Sequence, residues 1–257
     1  MLQDERRRKI LEIVEEEGQV DVEWISKEFG VSGNTARRDL RALDKEGVLR
    51  RVHGGAVSNL GRSYEPPYPL RKTKNFAAKQ AIGHKAASMI QDGDSVALDV
   101  GSTTLEIAKA IKDKHNLTII TASLPIANEL TQNHSLDNDI RLILTGGIIR
   151  PRELSMTGNI AEKTYKQFHF DKAFIGVGGI SVEEITEYNY EDALVKNPMI
   201  KNSKRKIVVA DSGKMGRTTF STIAPLSDID EIITDSGASP EFIEELKKRN
   251  IKVHIVN

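Results

Sequence analysis

The chain has 257 residues, and its 37 Lys and Arg residues balance 37 Asp and Glu residues, so the formal net charge is zero. This length predicts one large domain or two ordinary ones, and the charge balance argues against a domain that is basic throughout, as many nucleic-acid-binding domains are. The lack of cysteine excludes a disulfide framework and a thiolate metal site. Since no run of about 18 apolar residues and no apolar leader is present, we expect a cytoplasmic protein without a membrane span.

The zero net charge conceals a segregation of charge along the chain. Residues 1–31 contain five Lys and Arg but nine Asp and Glu, whereas residues 32–62 contain seven Lys and Arg and three Asp and Glu. Residues 63–257 contain 25 of each kind. The basic excess is therefore confined to one short segment near the N-terminus.

Apolar residues at helical spacing predict three short helices in the N-terminal segment. The first contains Ile10–Val14 and ends at Gly18, and the second covers Val22–Phe29. The third covers Asn34–Glu46, with Ser32 as its N-cap.

A β-hairpin is predicted after these helices. Val48–Val57 alternates in character around a Gly54-Gly55 turn, and residues 19–22 form a short extended segment between the first two helices. Three helices followed by a hairpin predict a helix–turn–helix domain with a wing over residues 1–57.

The third helix has two chemically different faces. Ala36, Leu40 and Leu43 cluster on one face and predict a packed side, whereas the opposite arc is cationic. Such a helix fits the DNA major groove, where arginine pairs with guanine and asparagine pairs with adenine. The alternative is an ordinary solvated basic face, which the adjacent basic hairpin makes less favoured. The candidate DNA-binding residues are Ser32, Asn34, Thr35, Arg37, Arg38, Arg41, Arg50, Arg51 and His53.

Two residues near this helix are expected to be structural. Asp39 lies at the margin of the apolar face, where DNA phosphate would repel its carboxylate, so we expect it to brace an arginine or a nearby main-chain group. Trp24 on the second helix is expected to lie in the core.

The rest of the chain alternates between strands and helices. Residues 58–75 contain three prolines and no regular period, which predicts a linker. Residues 76–257 then predict an α/β domain, Rossmann-like, with a mostly parallel sheet. The predicted strands are Ser95–Val100, Leu117–Thr121, Ile140–Thr145, Lys172–Val177, Lys206–Ala210, Glu231–Thr234 and Lys252–Val256, and the predicted helices include Phe76–Ile90, Thr104–Lys112, Pro125–Thr131 and Pro240–Arg249.

Small and polar residues follow several of these strands, at the edge where open α/β sheets bind ligands. Gly101 and the hydroxyl residues after it begin a predicted helix, an arrangement that suits a phosphate, although Ser and Thr are also ordinary helix caps. Arg150 and Lys214 add cations, and Asp99 and Asp211 add partners for hydroxyl groups, so we predict a site for a small polyol phosphate. The candidate effector-binding residues are Asp99, Gly101, Ser102, Thr103, Thr104, Thr121, Ser123, Gly146, Gly147, Arg150, Gly178, Glu191, Asp211 and Lys214.

Neither a nucleotide cofactor nor a metal is predicted. Gly176–Gly179 resembles the start of a dinucleotide fingerprint, but the G-x-G-x-x-G spacing is incomplete and residues 181–184 do not continue it as a strand–helix unit. The six histidines, at positions 53, 84, 115, 134, 169 and 254, show no metal-ligand spacing.

Several N-terminal runs form specific motifs: Glu5-Arg6, Ile10-Leu11, the run Val31–Leu40 and the run Arg51–Ala56. With these motifs, residues 6–56 resemble the winged helix–turn–helix of DeoR-type transcriptional regulators. One departure is Ala36, where the family usually has isoleucine, and we expect the smaller side chain to trim the core and leave the DNA face intact.

The resemblance extends through the second half of the chain. The runs Asp99–Thr104, Leu144–Gly147, Asp171–Gly176 and Ala210–Gly216 are similar to the DeoR-type sensor domain, which is related in fold to ribose-5-phosphate isomerase. The resemblance implies a sugar phosphate as allosteric effector. The related isomerases carry an Asp-Gly-Ala-Asp run after the equivalent strand, where residues 175–178 read Ile-Gly-Val-Gly, so binding without catalysis is expected.

Two further features bear on sugar recognition. Glu191 is the one acidic residue here expected to reach the sugar. Residues 182–186 replace a stretch that usually carries glycine and threonine in the family.

Together these features predict a bacterial transcription regulator, not an enzyme, that binds double-stranded operator DNA and a phosphorylated sugar. The resemblance favours a repressor of a sugar-metabolism operon that forms a homodimer or homotetramer, in which the effector changes the spacing of two DNA-binding heads. Two alternatives stay open: a sugar-phosphate isomerase-like enzyme with an N-terminal DNA-binding appendage, and a DNA-binding protein whose second half only dimerises.

Overall fold

The computed structural model describes residues 2–17, 19–58, 61–132 and 139–257. The chain forms two compact units, Met1–Pro66 and Pro67–Asn257. In the described ranges no helix is long and apolar enough to cross a membrane.

The first unit contains the three predicted helices and the hairpin. Its elements are α1 (Gln3–Glu17), β1 (Gln19–Asp21), α2 (Val22–Phe29), α3 (Gly33–Lys45), β2 (Arg50–Val52) and β3 (Gly55–Val57). The strands form an antiparallel sheet in the order β1-β3-β2. Ser32 caps α3 as predicted, because its Oγ accepts a hydrogen bond from the Thr35 amide at 3.2 Å. Gly18, the predicted end of α1, lies outside the described residues.

The prediction that Trp24 belongs to the core is wrong. Trp24 is 38% exposed, and its ring packs edge-to-face against Phe29 with 5.7 Å between the ring centroids. Helix α2 has only eight residues, and it buries Val22 and Ile25. Trp24 is rotated about 100° from Ile25 around the helix axis, so it lies at the edge of the buried face.

The predicted linker contains a helix, α4 (Tyr68–Thr73), and Tyr68 is buried. The three prolines favour a linker in the sequence, but Pro69 lies in the first turn of α4. Proline is tolerated there because the amide that it lacks would have no partner in the helix. Asn59 and Leu60 of the predicted linker lie outside the described residues.

The second unit continues as an alternation of strands and helices. In chain order its elements are α5 (Phe76–Ala87), β4 (Ser95–Leu98), α6 (Ser102–Ala110), β5 (Thr118–Thr121), α7 (Leu124–Gln132), β6 (Arg141–Leu144), β7 (Ile148–Arg150), β8 (Ser155–Thr157), α8 (Gly158–Lys166), β9 (Phe170–Ile175), β10 (Gly179–Ile180), β11 (Glu184–Glu187), α9 (Tyr190–Lys201), β12 (Ser203–Val209), β13 (Ser221–Pro225), β14 (Glu231–Asp235), α10 (Pro240–Lys248) and β15 (Lys252–Val256).

All seven predicted strands pair in one parallel sheet, in the order β15-β14-β12-β9-β4-β5-β6. The apolar residues of the five inner strands are buried on both faces, which is typical of a parallel sheet covered by helices, whereas Leu144 on β6 and Ile255 on β15 at the two edges are exposed. Aliphatic residues of α5, α6 and α7 pack on one face, and residues of α8, α9 and α10 pack on the other. The order of the strands along the chain reverses between β4 and β9, so the topological switch point lies there.

Several smaller elements were not predicted. Strands β7 and β8 form a hairpin, and β10, β11 and β13 form a separate three-stranded sheet. Helix α9 is buried on several sides and contains Pro198. A helix of this kind lacks a clear amphipathic period, and an internal proline argues against it in the sequence.

Candidate DNA-binding surface and effector site

Helix α3 presents its cationic side chains to solvent. Its predicted apolar face is buried, and Ala36 is completely enclosed. On the opposite face Arg37, Arg38 and Arg41 are exposed, together with Asn34 at the N-terminal end. Packing on one side thus leaves three guanidinium groups and one amide on the outer side of a single helix.

The wing adds a second exposed basic surface. Arg50 and Arg51 lie on β2, and His53 lies in the turn that follows; all three are exposed. Strand β3 packs so closely on β1 that a Cβ atom at Gly55 would lie 2.2 Å from the Val20 carbonyl oxygen. This close approach accounts for the glycine at that position of the hairpin.

Asp39 ties α3 to α1. Its carboxylate is completely buried and accepts hydrogen bonds from Arg6 Nε at 2.7 Å, Arg7 Nε at 3.1 Å and Gln3 Nε2 at 3.2 Å. The prediction that Asp39 braces an arginine is therefore confirmed. The residues that it holds belong to the other helix, more than 30 positions away in the chain.

In the second unit, a hydrogen bond joins the segments that follow β4 and β9, the two strands at the switch point. Asp99 follows β4 and Gly176 follows β9, and the Gly176 amide donates to Asp99 Oδ2 at 2.9 Å. Asp99 is only 1% exposed. Its carboxylate therefore lies at the floor of the predicted site and not at its rim.

A lysine that the sequence analysis missed lies against this carboxylate. The Nζ atom of Lys196 is 3.0 Å from Asp99 Oδ2 and 2.5 Å from Glu187 Oε2, and it donates to the Gly176 carbonyl oxygen at 2.8 Å. Burial raises the pKa of Asp99 against the opposing effect of the ammonium group. Although burial opposes it, the two carboxylates raise the pKa of Lys196, so the lysine stays charged. A single lysine in the stretch 193–200, which is otherwise apolar except for Asn197, was the available signal, because a buried cation needs a partner.

Lys79 on α5 is a second buried cation that the sequence analysis missed. Its Nζ atom donates to the main-chain oxygens of Arg71 and, at 2.7 Å, of Lys74. Burial lowers the pKa of Lys79 to about 8; the Asp211 carboxylate opposes this shift, and Lys214 adds to it. Lys79 therefore lies within the electrostatic influence of two predicted effector-binding residues.

These two predicted residues are held by neighbouring side chains. Lys214 Nζ donates to the hydroxyl of Tyr188 at 3.0 Å, and Asp211 Oδ1 accepts a hydrogen bond from Asn75 Nδ2 at 2.8 Å. Both act electrostatically on Lys79, and we refer to Lys79, Asp211 and Lys214 as the cation cluster, since two cations accompany one carboxylate. An anionic group is the ligand that such a cluster favours.

The predicted helix start after β4 is present. Helix α6 begins at Ser102 after Gly101, whose φ is +148°. Thr104 is buried, and its hydroxyl donates to the Gly101 carbonyl oxygen at 3.1 Å. Ser102 and Thr103 are also buried at the N-terminal end of the helix.

The hydroxyl residues after β5 organise the next turn. Thr121 Oγ1 accepts a hydrogen bond from the Ser123 amide at 3.1 Å. Ser123 Oγ accepts one from the Ile126 amide at 3.3 Å and thereby caps α7. These local hydrogen bonds give both residues a structural role that needs no ligand. Each hydroxyl also has a proton that it can donate.

The remaining predicted residues surround the β7–β8 hairpin. Gly147 has a φ of +126°, and a Cβ atom there would lie 2.5 Å from the Thr157 carbonyl oxygen. Arg150 is ion-paired with Asp192 at the start of α9, so its charge is already countered. Exposed Glu191 accepts a hydrogen bond from Thr157 Oγ1 at 3.1 Å.

Gly178, another of the candidate effector-binding residues, is closely packed. A Cβ atom at this position would lie 2.8 Å from Thr219 Oγ1, so close packing requires glycine there. Among the described residues no group of three or more His, Asp or Glu side chains is placed to hold a metal ion; His134 lies outside them. Binding by the candidate residues stays a prediction.

Family models match both parts of the chain. The DeoR-like helix-turn-helix domain matches residues 6–61, and the DeoR C terminal sensor domain matches residues 74–236. The chain belongs to the DeoR family of transcriptional regulators. The predicted resemblance is confirmed, and so is the predicted order of a helix–turn–helix domain followed by an α/β domain.

This DeoR-family regulator is similar to its relatives over its whole length. It is 38% identical to an uncharacterized HTH-type transcriptional regulator, YulB, of Bacillus subtilis (strain 168), and the match covers 100% of this chain and 98% of the relative. It is 30% identical to the glycerol-3-phosphate regulon repressor of Escherichia coli (strain K12), with 99% and 100% covered. A solved ribose 5 phosphate isomerase A from Neisseria gonorrhoeae aligns with a TM-score of 0.38 and 13% identity, over 53% of this chain and 52% of that one.

Proposed function

We propose that this DeoR-family regulator is a repressor of a sugar-metabolism operon, and that a phosphorylated sugar bound at the strand ends of the second unit controls its binding to operator DNA. The observation that carries the proposal is the recognition helix α3. Its apolar face is buried, while Arg37, Arg38 and Arg41 are exposed together. An arginine-rich helix surface of this width suits the major groove of duplex DNA.

The charge distribution supports binding by paired heads. The basic residues are concentrated on α3 and the wing, and the formal net charge of the chain is zero. A single head then makes few phosphate contacts, so non-specific affinity for DNA is modest. Two heads that engage half-sites together gain affinity through their effective local concentration.

The cation cluster supports an anionic effector. Lys79 is under the electrostatic influence of Asp211 and Lys214, and α6 begins after β4 at the strand ends, where main-chain amides favour a phosphate. The Escherichia coli relative is named as the repressor of a glycerol-3-phosphate regulon. Polyol and sugar phosphates are accordingly the ligand class proposed for this chain.

The site favours binding of a sugar phosphate without its chemical conversion. Residues 175–178 provide no carboxylate after β9, and the buried Asp99 is already bonded to Lys196 and to the Gly176 amide. Proton transfer at a sugar carbon needs a carboxylate that can reach it. Isomerisation of ribose 5-phosphate by the purified protein would contradict this reading.

The second unit also offers a surface for a second copy of the chain. Ile148, Ile149 and Ile160 are 65%, 53% and 62% exposed, close to β6 at the open edge of the seven-stranded sheet. Charged residues of both signs follow Ile160 on α8, namely Glu162 and Lys163. A mixed rim around an apolar centre suits a two-fold interface, in which each copy presents the same surface.

The effector proposal predicts that a phosphosugar will raise the melting temperature of the full-length protein. At a ligand concentration 100 times Kd the gain is about 2.7 kcal/mol, which is a shift of several degrees for a chain of this size. Lys79→Met and Lys214→Ala should each lose most of the shift. Lys248→Ala, a change to an exposed lysine on α10, is the matched control and should keep it. The proposal fails if no phosphosugar in a broad panel shifts the melting temperature of the wild type.

The lowered pKa of Lys79 predicts a pH dependence of effector binding. A bound anion holds Lys79 charged, whereas in the free protein its pKa is about 8, so binding is accompanied by proton uptake above that pH. Affinity should fall by about tenfold between pH 7 and pH 9, since the phosphate itself, with a second pKa of about 6, no longer titrates there. Calorimetric titrations at both pH values measure the effect. In Lys79→Met the affinity should be lower and nearly independent of pH; an equal fall in wild type and variant would contradict the assignment.

Lys79 also makes the stability of the ligand-free protein depend on pH. Its pKa is lower in the folded chain than in the unfolded one, so the unfolded chain binds more protons between about pH 8 and pH 10.5. The contribution of this group therefore makes the folded state more stable as the pH rises through that window.

A further inference from the structure

Two buried hydroxyl groups near the proposed effector site have no acceptor for their proton. Among the described residues, the side-chain hydroxyls of Tyr68, Ser155, Tyr165 and Thr234 are buried without such an acceptor. Ser155 and Tyr165 are 1% and 0% exposed, and both lie around the end of β5. A donor buried without an acceptor is destabilising, so two of them in one region need a physical reason.

Ser155 lies between the end of β5 and the β7–β8 hairpin. Its main chain pairs with Arg150 in the hairpin and forms a bridge with Ser123 after β5. Both of these neighbours are candidate effector-binding residues. Arg150 in turn is ion-paired with Asp192 on α9, so Ser155 is surrounded by main chain that belongs to the site.

Tyr165 on α8 approaches the same strand end from the core. It packs in one apolar cluster with Ala122 and Met156, and the Met156 amide donates to the Ala122 carbonyl oxygen at 2.8 Å. Met156 is the chain neighbour of Ser155, so both hydroxyl groups are carried by segments packed around Ala122. Burial raises the pKa of Tyr165 and the nearby Asp99 carboxylate raises it further, while a main-chain hydrogen bond at Ala122 acts in the opposite direction. The hydroxyl therefore keeps its proton and still has it to donate.

The charges in this part of the site do not favour a phosphate. Asp99 and Glu187 share the single ammonium group of Lys196, and Asp192 counters Arg150. Arg71 also acts on Glu187 but is itself ion-paired with Glu153. The cations of this region are therefore already matched by carboxylates, in contrast to the cation-rich cluster of Lys79 and Lys214. Carboxylates and hydroxyls in a region closed to water are suited to the hydroxyl groups of a ligand.

We propose that Ser155 and Tyr165 form a hydroxyl-binding subsite for the non-phosphorylated end of a sugar or polyol phosphate. The proposal rests on the proposed function and adds a chain-length requirement to it. A ligand long enough to reach from the cation cluster to Ala122 would exchange hydrogen bonds with both side chains, whereas a shorter ligand would leave them unpaired. A site that is built to bond a hydroxyl discriminates strongly against ligands that lack it.

The test uses full-length protein and four probes of increasing length: inorganic phosphate, glycerol 3-phosphate, ribose 5-phosphate and fructose 6-phosphate. Ser155→Ala and Tyr165→Phe each remove one hydroxyl with little change in shape. Each is expected to weaken the tightest sugar phosphate by about tenfold or more and to change the affinity for inorganic phosphate by less than about twofold, measured by calorimetry. Thr234→Val is the matched control, because it removes another buried, unpartnered hydroxyl, on β14, which is not a neighbour of β4 or β5.

The melting temperature of the ligand-free protein separates recognition from a structural role. Removing a hydroxyl that donates to nothing should leave it unchanged or raise it in Ser155→Ala and Thr234→Val, and Thr234→Val should also keep wild-type affinity. Tyr165→Phe also loses the main-chain hydrogen bond at Ala122, so its ligand-free melting temperature should fall slightly. If Ser155→Ala and Tyr165→Phe bind the sugar phosphate as tightly as wild type, or if Ser155→Ala lowers the ligand-free melting temperature, the subsite is refuted while the effector proposal stands. If wild type binds no sugar phosphate more tightly than inorganic phosphate, the effector proposal fails and the subsite fails with it.

Discussion

Replacing Arg37, Arg38 and Arg41 together by alanine is expected to weaken binding to a specific DNA site by at least about 100-fold. Each arginine that contacts a base edge contributes about 1–3 kcal/mol to discrimination, and each that contacts a phosphate adds a salt-dependent part of the affinity. Because all three are exposed on one face of α3, their loss should not unfold the first unit. The dependence of affinity on salt should become shallower as well.

The DNA measurement does not require a known operator. Duplexes selected by the wild-type protein from a random library provide the probe, and mobility shifts at two salt concentrations give the affinity and its salt dependence. The matched control is a triple alanine variant of Lys247, Lys248 and Arg249, three exposed cations on and just after α10, which should bind DNA as wild type does. Unchanged affinity in the α3 variant would refute the assignment of α3 as the recognition helix.

The Asp39→Ala variant is expected to destabilise the first unit by about 3–5 kcal/mol, the usual cost of leaving a buried charge without its partner. Asp39 is completely buried and Arg6 nearly so. Without the carboxylate, Arg6 keeps a buried guanidinium group and Arg7 loses an anchor. DNA binding should fall as well, because α3 would lose its attachment to α1.

The single tryptophan makes this prediction convenient to measure. Trp24 lies in the first unit and is partly exposed, so its fluorescence during urea denaturation reports on that unit alone. Asp44→Ala is the control, since Asp44 is an exposed residue of the same helix that accepts one hydrogen bond, from the Arg51 amide at 3.0 Å. It should cost about 1 kcal/mol or less. Equal destabilisation by the two substitutions would contradict a special role for Asp39.

The sequence predicted the main sheet and its surroundings because buried parallel strands are continuous apolar runs, which stand out between helices. The elements that it did not predict are those in which tertiary packing overrides a local signal. Pro69 in the first turn of α4 and Pro198 inside α9 both act as breakers in a reading of the sequence alone. Each is accommodated in the fold, at a helix start in one case and within a buried helix in the other.

The candidate site was predicted in its outline but not in its charges. Glycines and hydroxyl residues after consecutive strands placed the predicted site at one edge of the sheet, and in the structure these residues lie at the ends of those strands. The partners of those residues could not be predicted, because Asp99 and Lys196 lie far apart in the chain and meet only after the strand order brings β4 beside β9. Arg150 was predicted as a cation for phosphate, yet it is paired with Asp192, and Lys79 has the buried position that suits this role.

The most direct test of a sugar-phosphate-controlled repressor is its affinity for a selected DNA duplex with and without the phosphosugar that gives the largest thermal shift. A coupling free energy of about 1–3 kcal/mol between the two sites corresponds to a change of about 5- to 150-fold in DNA affinity. We predict a change in that range for wild type and none for Lys214→Ala, which should still bind DNA. If the same phosphosugar binds the wild-type protein and leaves its DNA affinity unchanged, the second unit does not control the first, and the proposed regulation is wrong.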